Sequence, residues 1–207
     1  MNTSSGQTQQ LIQNVCVFCG ATTGNNPAYV EQAQDLGKAF AENNLNIVYG
    51  GGSIGVMGAI AKAVLDNGGK ATGVVPEPLF KNGSKQLAET IVVPDMHTRK
   101  KTMSDKSDAF VVLPGGFGTM EEMLEMITWS QLNIHSRPLL LLNTNNYFDL
   151  FVQWVDRCIE EGFIKKESAG IFVVCNSVQE VLDALKSYQA PPPRFTFTWE
   201  ANGRSMT

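Results

Sequence analysis

"VVLPGGFGTMEEMLEMITW" (residues 111–129) passes from an unbroken apolar run through a glycine-rich turn into an acidic helical pattern. An apolar run without alternation is what a strand covered on both faces requires. Pro114 ends the pairing, Gly115 and Gly116 turn the chain, Gly118 lets backbone come close to whatever fills the loop, and Thr119 opens the helix. The same strand, turn and helix grammar recurs along the chain. Strand-like runs fall at 15–20, 46–51, 71–76, 90–95, 109–115, 138–143 and 171–176, and helical patterns at 27–43, 55–67, 98–107, 119–133, 147–161 and 177–188. This alternation predicts an α/β fold, a doubly wound parallel sheet of about seven strands. Residues 14–189 read as one domain, preceded by a polar tail at 1–13. It is followed by a proline and aromatic tail at 190–207 containing Phe195, Phe197 and Trp199.

The 207 residues suffice for one sizeable core, and 43% hydrophobic with 17% charged residues is ordinary for a globular protein. No run of roughly 18 apolar residues offers a membrane span. "MNTSSGQTQQ" is not patterned as a signal peptide, so a cytoplasmic location is expected. A net charge of −4 argues against general nucleic-acid binding but leaves room for a local phosphate site. Cys16, Cys19, Cys158 and Cys175 make no zinc-ligand spacing with His97 and His135, so no metal is expected. Cys16 and Cys19 match CxxC but sit inside an apolar strand pattern, which makes them core residues. Asn82 begins an NGS triplet that carries no weight without a secretion signal.

Two glycine turns follow strands. "YGGGSIGVMGAI" places Gly50, Gly52 and Gly55 in GxGxxG spacing, but it follows the second strand and lacks a clear acidic partner, so a dinucleotide fingerprint is a poor fit. The turn at 114–119 has no GxxxxGK[ST] pattern and suits a monophosphate held by backbone N–H groups and the Thr119 hydroxyl. With a helix starting near Gly118, Glu122 falls one turn later on the same face and Glu121 points about 100° away. Two readings of these carboxylates stay open: complements to the helix dipole, or an active group at Glu122. Upstream, "PDMHTRKKTMSDKSD" (94–108) offers His97, Arg99, Lys100 and Lys101. If the strands on either side of it are neighbours, its start faces the glycine turn. Arg99 would then meet a purine edge or phosphate, and Lys100 would add a point charge. A solvated basic face is the other reading.

Taken together, "CVFCG" (16–20), "VYGGGSIGVMG" (48–58), "DMHTRK" (95–100), "LPGGFGTMEE" (113–122) and "ITWSQLNIHSRP" (127–138) resemble the LONELY GUY family of cytokinin-activating phosphoribohydrolases, many of which carry a lysine-decarboxylase label. The resemblance implies a Rossmann-like fold, a homodimer, and hydrolysis of the N-glycosidic bond of N6-modified adenine riboside 5′-monophosphates. Free cytokinin base and ribose 5-phosphate would be released, with no cofactor and no decarboxylase chemistry. It implies Arg99 and Glu122 as the catalytic pair. Substrate contacts would come from Arg99, Lys100, Gly116, Phe117, Gly118, Thr119, Met120, Glu121, Glu122 and Thr128, and less directly from Gly51, Gly52 and Ser53. Phe117 stands where the family often has tyrosine, and 78–89 follows the pattern less clearly. Met123, Ile127 and Ile134 have helical spacing suited to the core or a dimer contact. A purine nucleotide nucleosidase of broader specificity and a non-catalytic nucleotide-binding module are the competing readings.

Overall fold

A computed structural model describes residues 11–83 and 86–192. Most of the N-terminal tail and the aromatic residues of the C-terminal one lie outside the described residues. Within them, β1 (Asn14–Phe18), β2 (Asn46–Tyr49), β3 (Ala71–Pro76), β4 (Glu89–Val93), β5 (Ala109–Val112), β6 (Leu139–Leu142) and β7 (Val173–Cys175) form one parallel sheet in the order β4-β3-β2-β1-β5-β6-β7. The helices are α1 (Ala28–Glu42), α2 (Gly55–Asp66), α3 (Glu77–Asn82), α4 (Met96–Asp105), α5 (Phe117–Gln131), α6 (Asp149–Glu160) and α7 (Val178–Ser187). The architecture is the Rossmann-like, doubly wound sheet that the alternation predicts.

Strand side chains alternate between two buried layers. Val15, Val17, Ile47, Tyr49, Val111 and Leu140 pack with Leu36 and Phe40 of α1, Ile60 and Val64 of α2, and Val181 and Leu185 of α7. Cys16, Phe18, Val48, Val74, Phe110, Val112 and Leu141 pack with Met103 of α4 and with Met123 and Met126 of α5. Both faces of the central strands are therefore covered, which is why their sequences are apolar without alternation. Cys16 and Cys19 belong to opposite layers, and burial pushes both thiols above their ordinary range, so they act as small core residues and not as a redox pair.

The chain builds outward from β1 to β4, then returns to place β5 on the free side of β1. β1 and β5 thus flank the point where strand order reverses, the place where open α/β sheets bind ligands. The expectation that β4 and β5 lie side by side is corrected here: β3, β2 and β1 separate them. The basic segment reaches the glycine turn because its helix, α4, is the crossover that returns over the sheet. α3 has no counterpart in the sequence reading, because it is short, exposed and begins with Pro78 in its first turn, with no buried stripe to create a period. Helix α5 starts two residues before the expected Thr119, and α4 starts two before Thr98.

α1 and α2 pack closely at Gly37, where a β-carbon would sit 2.7 Å from the Ile60 carbonyl oxygen and 2.8 Å from the Ala63 β-carbon. Helix propensity alone favours alanine there by about 0.5–1 kcal/mol. The steric conflict is with backbone and should dominate: Gly37→Ala is expected to lower the unfolding free energy by about 1–3 kcal/mol in urea titration.

Candidate active site

Three turns meet at the C-terminal edge of β2, β1 and β5. The Gly20 N–H donates to the Pro114 carbonyl at 3.0 Å, and the Gly20 carbonyl accepts from Met57 N–H at 3.1 Å, while Val56 N–H reaches the Thr22 carbonyl at 3.2 Å. The turn after β1 therefore bridges the two glycine-rich turns. The sequence reading did not assign it to the site; its signal was a glycine-bounded polar run, "GATTG", directly after the first strand. Gly115 packs so tightly here that a β-carbon would lie 2.1 Å from the Thr119 hydroxyl oxygen and 2.7 Å from Gly20 nitrogen. Gly55, at φ +66°, passes just as close to the Ala21 carbonyl, where only glycine fits without strain. The Tyr147 hydroxyl donates to the Gly115 carbonyl at 2.5 Å and fastens the loop from the β6 side.

α5 begins on Gly116, which supplies no side-chain cap. The first intrahelical bond is Met120 N–H to Gly116 carbonyl, so the N–H groups of Phe117, Gly118 and Thr119 precede the helical ladder. Among the described residues, nothing comes within 4 Å of where a β-carbon on Gly116 or Gly118 would sit, and Phe117 is 98% exposed. The Thr119 side chain is buried against Gly115, so the loop presents backbone donors rather than that hydroxyl. On the other turn Gly51 is buried at φ +78°, Gly52 N–H points at the Met57 sulfur at 3.1 Å, and Ser53 is half-buried.

Asp95 caps α4 by accepting from Thr98 N–H at 2.8 Å and from its hydroxyl at 2.9 Å, and these bonds hold its carboxyl below the usual range. That start places Arg99 and Lys100 on consecutive positions facing α5. Arg99 forms an ion pair with Glu122; each residue is only 7% exposed. The Arg99 Nε donates to the Val74 carbonyl at 3.0 Å. Its Nη2 lies against Gly50, where a β-carbon would come within 2.4 Å, so that glycine makes the room for the guanidinium. Lys100 is buried between carboxylates instead of pointing into the open loop: it pairs with Glu121 and, at 3.1 Å, with Glu125. Burial favours its neutral form, but the two acidic partners outweigh this and raise its pKa.

Among the proposed site residues, then, Arg99 on α4 meets Glu122 on α5, whose first turn carries residues 117–120, and the guanidinium lies against Gly50 at the head of the other glycine turn. Glu121 and Lys100 form a second ion pair beside the first. Thr128 stands exposed on α5, six residues and so about 240° around the helix from Glu122. His97 is exposed, and Met123 fills the core with Ile127 packed against it, while Ile134 lies beyond the helix end. Among the described residues no group of three or more His, Cys, Asp or Glu side chains is placed to hold a metal ion, and no helix is long and apolar enough to cross a membrane.

A reversal point lined by glycine turns, an open helix start and a buried charged pair define a Rossmann-like nucleotide-binding protein. A family model described as "Possible lysine decarboxylase" matches residues 57–185. Cytokinin riboside 5′-monophosphate phosphoribohydrolase LOG1 of Arabidopsis thaliana is 42% identical over 182 residues, covering 87% of this chain and 85% of that protein. LOG5 of the same organism is 41% identical over 179 residues, covering 86% and 78%. The chain belongs to the LONELY GUY family of phosphoribohydrolases. A molybdenum cofactor carrier protein from Chlamydomonas reinhardtii has the same fold, with a TM-score of 0.65 at 23% identity over 85% of this chain and 96% of that one.

Burial raises the Glu122 carboxyl above the ordinary range, with Arg99 opposing the shift. The folded state then binds the proton more tightly than the unfolded chain, so this group's contribution to stability falls as pH rises from about 4 toward its raised value. In Glu122→Gln that dependence is absent. The difference in unfolding free energy should therefore move in favour of the glutamine variant between about pH 4 and pH 7. Denaturation curves across that range check it; movement in the opposite direction means that the Arg99 pair outweighs burial.

Proposed function

We propose that this chain hydrolyses the N-glycosidic bond of N6-modified adenine riboside 5′-monophosphates, releasing the free cytokinin base and ribose 5-phosphate. The observation that carries the reading is the Arg99–Glu122 pair buried at the foot of an open helix start. Relatives across most of the chain bear the name of that activity.

In this reading the N–H groups of Phe117, Gly118 and Thr119 hold the 5′-phosphate at the positive end of α5. Glu122 engages the ribose hydroxyls and orients a water toward C1′; burial raises its carboxyl above the ordinary range, which makes the carboxylate a stronger base for the water's proton. As the bond from C1′ to the base loosens, positive charge grows on the ribose ring and the carboxylate stabilises it. The bonding electrons leave with the base. The water gives its hydroxyl to C1′ and its remaining proton to Glu122, which passes it on to the base or to solvent in exchange for the proton the base takes up, so that one water is consumed. Arg99, fixed by Val74 and Glu122, uses its Nη2 side to steady the departing purine and the charge it carries. Gly51, Gly52 and Ser53 line the opposite wall, and Met120 completes the contacts that the family resemblance implies; Thr128, also implied by it, stands on a different face of α5 from Glu122 and takes no part in this reading. The protein works without a cofactor, as a cytoplasmic homodimer that binds neither nucleic acid nor membrane; light scattering should return twice the chain mass.

Purified protein incubated with isopentenyladenosine monophosphate, AMP and both nucleosides should release base and ribose 5-phosphate from the modified monophosphate. Comparable release from AMP points to a broader purine nucleotide nucleosidase, and binding without release to a regulatory module. Glu122→Gln should keep its fold and substrate binding while kcat drops by about 10²–10⁴-fold.

A further inference from the structure

The loop between α5 and β6 holds both helices of the charged pair. His135, buried, sets its Nε2 at 3.0 Å from the Met126 carbonyl of α5 and its Nδ1 at 3.2 Å from the Arg137 backbone N–H. The Arg137 backbone is a donor, so Nδ1 accepts and Nε2 carries the proton given to Met126. The Arg137 side chain turns the other way, onto α4. Its Nη1 donates to the Ser104 carbonyl at 2.5 Å and the Ser107 carbonyl at 2.8 Å, and its Nη2 to the Ser104 hydroxyl at 2.6 Å. These acceptors sit in and just beyond the last turn of α4, where a cation is favoured by the dipole; the Ser104 carbonyl also accepts from the Ser107 N–H at 3.1 Å. The guanidinium is also stacked 4.6 Å over the Phe110 ring of β5.

The attachment points are placed tellingly. Met126 is one helical turn past Glu122 on α5, and Ser104 is little more than one turn past Arg99 on α4. We propose that Arg137 is a positioning residue for the hydrolysis: with His135 it links the C-terminal end of α4 to the middle of α5, and so sets the separation and orientation of Arg99 and Glu122. The proposal rests on the reading of those two residues as the reacting pair. It accounts for a half-buried arginine whose three side-chain hydrogen bonds go to the last turn of α4 and the residue two beyond its end, and not to the loop at 114–119.

The charges facing Glu122 are Arg99 and Lys100 from α4 and Glu121 on its own helix, with the Cys16 thiol on β1 and the Cys19 thiol just past the end of that strand nearby. Loosening α4 weakens the contribution of Arg99, the one that opposes burial, so the carboxyl titrates higher.

Arg137→Met should lower kcat for the modified monophosphate by about tenfold to a hundredfold with KM little changed, since small misplacements of reacting groups have effects of that size. The rising limb of its kcat–pH profile should shift to higher pH. Arg137→Lys keeps a donor for the two carbonyls and should restore most of kcat and the original limb. Ser104→Ala, which removes one acceptor, should shift the limb in the same direction by less; it stands in if Arg137→Met does not fold. Leu185→Ala, in the opposite core layer, should lose stability with its limb unmoved. Wild-type kcat and limb in both Arg137→Met and Ser104→Ala overturn the proposal, as does an equal shift in Leu185→Ala. Glu122→Gln is assayed alongside. If it stays active, the reacting-pair assignment falls and the proposal with it; if it is inactive while the Arg137 and Ser104 variants match wild type, only the positioning role falls.

Discussion

The ion pair between Arg99 and Glu122 is the constraint around which the rest of the molecule is arranged. Removing both charges from water is costly, and their attraction offsets this only with close geometry and further hydrogen bonds. The protein supplies both: Val74 lends a backbone carbonyl, and Gly50 withholds a side chain from the space the guanidinium occupies. Arg99 and Glu122 lie 23 residues apart on different helices, so the pair exists only if the sheet order is right. With β4 at the outer edge and β5 beside β1, the connecting helix has to cross the sheet, and that crossing carries Arg99 to the reversal point.

Consecutive residues on each helix double the contact. Arg99 and Lys100 face Glu122 and Glu121, so one pair is buried and the other lies alongside it, reinforced by Glu125. The adjacent glutamates are thus not a redundant patch of negative charge at a helix start. One is buried with its arginine, where burial raises its carboxyl; the other keeps its side chain half in water and neutralises a buried lysine. This division leaves the first turn of α5 to its own N–H groups: among the described residues, nothing comes within 4 Å of where a β-carbon on Gly116 or Gly118 would sit.

The glycines serve two different ends. Gly50, Gly55 and Gly115 are required because protein atoms already fill the space where a side chain would go, and their effect is to pull three turns together around Gly20. At Gly116 and Gly118 an added β-carbon would meet none of the described residues within 4 Å, and their effect is to leave the first turn of the helix uncovered by them. A single glycine-rich string such as "PGGFGT" therefore holds both packing and access in neighbouring positions.

Fold class and the main elements were legible from sequence alone, because burial on both faces of a parallel strand writes unbroken apolar runs, and glycine or proline must mark their ends. The start of α4 was legible in principle from Asp95 and Thr98, and the separation of Glu122 from Glu121 followed from helical periodicity. Family motifs pointed to Arg99 beside Glu122, while local reasoning reached that proximity by a neighbouring-strand argument that the sheet order corrects. Only tertiary structure decided that Lys100 turns to Glu121 and Glu125, that Thr119 is buried, that the turn after β1 joins the site, and that His135 and Arg137 grip both helices. Local sequence encodes which segments bury which faces; contacts between segments far apart in the chain depend on strand order and crossover direction, which no local pattern carries.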